Sequence, residues 1–164
     1  MQFEDVPVQL DGVTWEVFEA TSDWSQEDWQ FRRAEGKWSR VEIVGHLVDS
    51  ARNNTERVVR ALSANSLEWP GYQQNEQVRV QRYHESRAKQ TVALWVALNE
   101  HLAHVIRGIP ESKRGTPCTI HGWRTLPLDH LIVDYLAHLE HHVRQILEGT
   151  GMTVRLSGLH YPLS

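Results

Sequence analysis

The chain has 164 residues, 40% of them apolar and 23% charged, with a formal net charge of -4. That length suits one domain able to bury its own core, and the acidic balance without any block of Lys or Arg argues against nucleic acid as a partner. No apolar run approaches the roughly 20 residues of a membrane span. Cys118 is the single cysteine, which excludes an internal disulfide, and no secretory signal pattern opens the chain, so a cytoplasmic setting is expected.

In chain order, a short first helix is expected over 8–22, with Leu10, Val13, Val17 and Phe18 on one side. Residues 23–37 read as a connection that anchors tryptophans. Ser39 and Glu42 form an S-x-x-E capping box, and a second helix runs from there to about Ala64 on a stripe of Val44, Leu47, Val48, Ala51, Val58 and Leu62. Pro70-Gly71 makes the following stretch a long crossover loop. The third helix spans about Tyr83 to Arg107, buries Val92, Trp95, Leu98, Leu102 and Val105, and stops at Gly108 and Pro110. Residues 111–124 predict a small hairpin around His121-Gly122. The fourth helix opens at Thr125, with Pro127 in its first turn, and ends before Gly149. Residues 152–164 read as an irregular tail. Four helices with one long crossover predict an all-α four-helix bundle, a single domain over 1–164 with its core at 8–148.

Ten histidines are many for this length, and helical spacing sorts them. On the fourth helix Leu128, Leu131, Tyr135, His138, His142 and Ile146 follow steps of three and four and share a face. Two imidazoles thus stand where aliphatic side chains are expected. At i, i+4 both can reach one ion at about 2.0–2.1 Å. His141 falls on a charged stripe with Asp134, Arg144 and Glu148, expected to face water. Glu140 is one place late for the H-E-x-x-H motif of metalloproteases and is turned away from the pair. A lone core histidine is usually just a hydrogen-bonded core residue, and two ligands hold a metal poorly, so a third is required from elsewhere.

His46 lies on a polar stripe of the second helix with Glu42, Asp49, Asn53 and Arg57. Such a stripe is ordinarily a solvated face. It can also line a wet internal cleft, in which Asp49 would orient the His46 ring. Periodicity leaves both readings open. His101 and His104 sit on a mixed surface stripe, and His84, His121, His130 and His160 fall in or near loops without a partner spacing. Cys118 follows Pro117 with nothing to activate it. Glu42 and His46 are four apart rather than three, so a ferritin-like di-iron site is unsupported.

The residues Gly36-Lys37-Trp38-Ser39, Glu42 and Gly45-His46-Leu47-Val48-Asp49-Ser50 resemble the signature that opens the second helix of the DinB/YfiT-like superfamily. His138 through Ile146 resembles that family's second signature, a His, three residues, then His-Arg-x-Gln; here Val143 stands in the Arg place, Arg144 follows one later, and Gln145 keeps its place. Pro70-Gly71-Tyr72-Gln73-Gln74 is similar to a loop motif of one branch. The resemblance implies an up-down-down-up bundle with one divalent transition metal on His46, His138 and His142, zinc or nickel favoured and iron or manganese compatible. It thereby makes His46 a ligand, against the reading of its own stripe.

Three histidines leave an open coordination position, as catalytic rather than structural zinc sites do. Relatives in the superfamily imply a hydrolase, or a transferase using a low-molecular-weight thiol, acting on a small-molecule substrate. Asp49, Asn53, Tyr72, Gln73 and Gln145 are the candidate pocket or supporting residues. The alternative is a non-catalytic, stress-associated bundle in which the metal only ties the second helix to the fourth. A homodimer is the expected assembly.

Overall fold

The computed structural model describes residues 2–122 and 124–161; Trp123 and the last three residues of the expected tail lie outside them. Four long helices form the frame: α1 (Val6–Ala20), α3 (Arg40–Leu62), α5 (Ala88–Arg107) and α7 (Leu128–Leu147). Between them lie α2 (Gln26–Gln30), α4 (Gln74–Val80), α6 (Glu111–Arg114) and three strands, β1 (Leu67–Trp69), β2 (Pro117–Ile120) and β3 (Thr125–Pro127). The fold is therefore mostly helical but not strictly all-α. The hairpin expected near His121-Gly122 is the β2–β3 pair, and β1 from the crossover joins it in parallel, Leu67 opposite Cys118.

The long helices neighbour one another in a ring, α1 to α5, α5 to α3, α3 to α7 and α7 to α1. Hydrogen bonds fix which ends meet. Arg40 at the start of α3 donates to the carbonyls of Asp28 and of Glu148, just past α7. Gln26 of α2 bonds the Ser86 carbonyl and the Ala88 N–H at the start of α5. The ends of α1 and α7 thus gather with the starts of α3 and α5. Arg107 at the far end of α5 pairs with Asp11 of α1 at 2.5 Å.

Local chemistry accounts for the helix ends. Ser39 and Glu42 form the capping box in full: the Ser39 N–H and hydroxyl each donate to Glu42 Oε2 at 2.8 Å. Ser25 and Asp28 cap α2 in the same way, so the segment read as a connection holds a helical turn that buries Trp29 against Trp24. The third helix starts later than expected. Tyr83–Glu85 is a separate 3₁₀ turn, because Ser86 and Arg87 after it are extended, at ψ 155° and 106°, and break the ladder before Ala88. The fourth also starts later: Thr125–Pro127 pairs with β2, and Pro127, extended at φ -65° and ψ 154°, is the N-cap rather than a first-turn residue. In the crossover, α4 and β1 replace much of the expected loop.

The core runs through the middle of the ring, with Trp95, Leu102, Leu128, Leu136, Leu139 and Ile146 fully buried. Residues 152–161 have no regular structure but are tied down. Glu140 of α7, 0% exposed, accepts from the Ser157 N–H at 2.7 Å and the Ser157 hydroxyl at 2.8 Å. Arg155 binds Glu16 of α1 through its backbone N–H and its guanidinium. No described helix is long and apolar enough to cross a membrane.

Candidate metal centre

His46 on α3 and His138 and His142 on α7 meet in the interior. One ring nitrogen of each lies within 4.8 Å of the other two, and the ring centroids are 4.6 to 5.0 Å apart. His46 Nε2 and His138 Nε2 are separated by 3.1 Å. Two nitrogens bound at 2.0–2.1 Å to one tetrahedral ion would sit about 3.3 Å apart, so these residues fit a single zinc-sized ion. His46 is 1% and His138 8% exposed, while His142 is half-buried.

The surroundings orient the rings. His142 Nδ1 is 2.9 Å from Gln145 Oε1, an acceptor, so Nδ1 carries the proton and Nε2 keeps its lone pair. The Gln145 amide nitrogen reaches His141 Nε2 at 2.9 Å. Trp38 lies over His46 with ring centroids 5.1 Å apart, and Tyr161 stands edge-on to His138 at 5.0 Å. Ser50 Oγ makes a long 3.5 Å approach to His138 Nδ1.

Burial disfavours the charged form of all three imidazoles. It lowers His46 to about 3, helped by His142, and His142 to about 4, against the pull of Gln145. His138 is pushed well below its ordinary value by burial, then by His142 and His46. All three are therefore neutral near pH 7, with lone pairs free to bind a Lewis acid.

The other expected site residues divide. Tyr72 lines the cavity beside the triad, its hydroxyl pushed up to about 12 by burial. Gln145 stands at the triad. Asp49 is buried but does not bond His46: its Oδ1 accepts from Gln81 at 2.7 Å and from the Tyr83 hydroxyl at 3.0 Å. His46 Nδ1 and Asp49 Oδ2 have no partner among the described residues. Asn53 turns away, its amide on the Asp49 carbonyl, into a shallow groove with Arg52, Glu56 and Trp69. Gln73 is exposed as the N-cap of α4, and its neighbour Gln74 faces the cavity instead. His141 is half-buried against Gln145 rather than in water, and Asp134 of the same stripe faces the cavity.

The cavity holds about 630 Å³ and opens beside His138. Its walls come from α3 (Ser50, Asn54, Arg57), the strands (Cys118, Ile120) and α7 (Leu131, Asp134). Four residues of the cavity and the metal centre are not singled out as site residues by sequence reasoning. Arg57 belongs to a polar α3 stripe that periodicity leaves open between a solvated face and a cleft, and Asn54 stands on no stripe that spacing singles out. Tyr161 lay in an unpatterned tail. Trp38 preceded the helix; its place in the Gly36-to-Ser39 motif was the available signal.

The sequence profile of the DinB superfamily matches residues 9–146. No curated protein sequence matches the chain. Among solved structures, YfiT from Bacillus subtilis, described as a probable metal-dependent hydrolase with an unusual four-helix bundle topology, is similar with a TM-score of 0.80 at 16% identity, over 93% of this chain and 89% of that one. At that identity the likeness is one of fold.

Proposed function

The chain belongs to the DinB superfamily, and we propose that it is a metal-dependent enzyme whose one divalent ion is held by His46, His138 and His142. The observation that carries this reading is the convergence of three neutral imidazole nitrogens within 4.8 Å in the interior of the bundle. Uncharged rings crowded this way gain little from one another; a shared Lewis acid satisfies all three. Zinc or nickel suits nitrogen ligands best, with iron or manganese compatible.

When bound, such an ion supplies Lewis acidity to a water or a small thiol, the chemistry of a hydrolase or a thiol transferase. The chain's own residues do the rest. Gln145 fixes the tautomer of His142. Trp38 and Tyr161 cover His46 and His138 and exclude bulk water from that side. The cavity beside His138 gives a small-molecule substrate its approach. In this reading the helices run up, down, down and up, and the protein works in the cytoplasm as a homodimer.

A second reading is favoured by one observation: His46 stands on α3 and the other two histidines on α7, so an ion there would clamp two helices without any chemistry. Elemental analysis after reconstitution with zinc, nickel, iron or manganese tests both. One equivalent per chain, lost in His138→Ala, is expected; metal well below one equivalent with every ion overturns both. Screens of thioether, ester and amide substrates then separate them. Turnover lost in His138→Ala favours the enzyme, and a large loss of melting temperature without any turnover favours the clamp.

A further inference from the structure

Arg57 lies three helical turns beyond His46 on α3, 9% exposed, and lines the same cavity as His138. Its Nη1 makes a long 3.4 Å contact with Asn54 Oδ1, and its Nε has no partner among the described residues. No described carboxylate stands within ion-pair distance of it, although Asp134 contributes to its field. Burying a guanidinium without a counter-ion is costly. The fork of five donors matches a carboxylate in bidentate fashion.

A polar ladder runs from this charge to the histidines. Arg57 contacts Asn54, the Asn54 amide reaches Ser50 Oγ at 3.4 Å, and Ser50 Oγ approaches His138. From 50 to 57 the helix rises about 10 Å. Ile120, Leu126 and Leu131 add apolar surface to the cavity lining. The cavity thus has a cationic end, an apolar flank and an end at His138.

We propose that Arg57 is the anion-binding residue of this cavity, and that its ligand is a small carboxylic acid whose carboxylate sits on the guanidinium and whose apolar body extends toward His138. A monoanion fits better than a phosphate ester, because Asp134 of the same cavity lining opposes a second negative charge and also faces Arg124, the other cation there. As a statement about the substrate of the metal centre, the inference rests on the metal reading above; as an anion site it stands on Arg57.

Calorimetric titration with 4-phenylbutyrate and its neutral amide tests it, on zinc-loaded and on zinc-stripped protein. The acid should bind about tenfold or more tightly than the amide in both forms. Arg57→Gln should erase that preference and Arg57→Lys keep part of it. Equal binding of acid and amide by the unaltered protein overturns the proposal, even where Arg57→Gln does not fold. A preference that vanishes with the zinc also overturns it, since the carboxylate would then sit on the metal. So does inorganic phosphate binding more tightly than the acid. If zinc fails to load while the preference persists, the metal reading falls and the Arg57 site stands.

Discussion

The side-chain amide of Gln145 holds two imidazoles at once, its oxygen on His142 and its nitrogen on His141. Only the first contact touches the triad. Gln145→Leu should preserve the fold yet weaken zinc binding about 10–100-fold, measured by competition with a chelating dye; unchanged affinity would show that packing alone orients His142. Gly45 has a different task. A Cβ there would lie only 2.2–2.6 Å from three ring carbons of Tyr83, which crosses α3 at that point to bond Asp49. Gly45→Ala should therefore cost about 1–3 kcal/mol in urea unfolding. A loss smaller than that would mean the Tyr83 ring swings aside freely. Asp49 explains why a plausible partner for His46 went elsewhere. Its actual partners, Gln81 and Tyr83, come from a segment more than 30 positions away, which no helical spacing can reveal.

At the scale of the elements, the legible parts are those fixed by neighbours in sequence. The Ser39–Glu42 box starts α3 where expected, and the α7 stripe from Leu128 to Ile146 faces inward throughout, with His142 at its margin. The α3 stripe of Glu42, His46, Asp49, Asn53 and Arg57 is harder. Its polarity looks like a solvated face, yet all but the half-buried Asn53 are buried. Glu42 is held by the local Ser39 box and by Arg32, but Asp49 is met by Gln81 and Tyr83, His46 by the α7 histidines, and Arg57 faces the cavity, so most of this burial follows from tertiary partners rather than local pattern. The same burial sets a pH dependence. In the metal-free protein burial pushes His46 down to about 3 and His142 down to about 4, against an ordinary 6.5. Between those limits the unfolded chain binds more protons than the folded one, so stability is full above about pH 6.5 and falls as pH drops toward 4. Urea midpoints of metal-free protein should decline from pH 7.5 to pH 5. A flat profile would mean that the rings accept protons inside the bundle.

For the whole molecule, the sheet and the tail close one side of the bundle over the cavity. β1 comes from the crossover and β2–β3 from the connection before α7. The β2–β3 hairpin is legible around His121-Gly122, but β1 is not separable from loop in the sequence, because a three-residue strand has too few positions to show alternation. The tail depends on Glu140, whose carboxylate takes the Ser157 backbone and hydroxyl in the interior. Glu140→Ala should leave these donors unmet and free the tail, giving faster cleavage by trypsin after Arg155 than in the unaltered protein. Equal cleavage rates would place the tail's anchoring on the Arg155–Glu16 contacts instead. Loading the triad with metal should raise thermal stability by about 2.7 kcal/mol when free ion is 100-fold above its dissociation constant, and a chelator should reverse the gain.

Trp38 lies over His46 at 5.1 Å, close enough for its excited state to sense what the imidazole holds. Nickel or copper, with partly filled d shells, would drain that emission, whereas zinc would leave it bright. The indole is thus a built-in optical gauge of occupancy. Its signal is isolated by subtracting the spectrum of Trp38→Phe from the combined emission of all seven tryptophans.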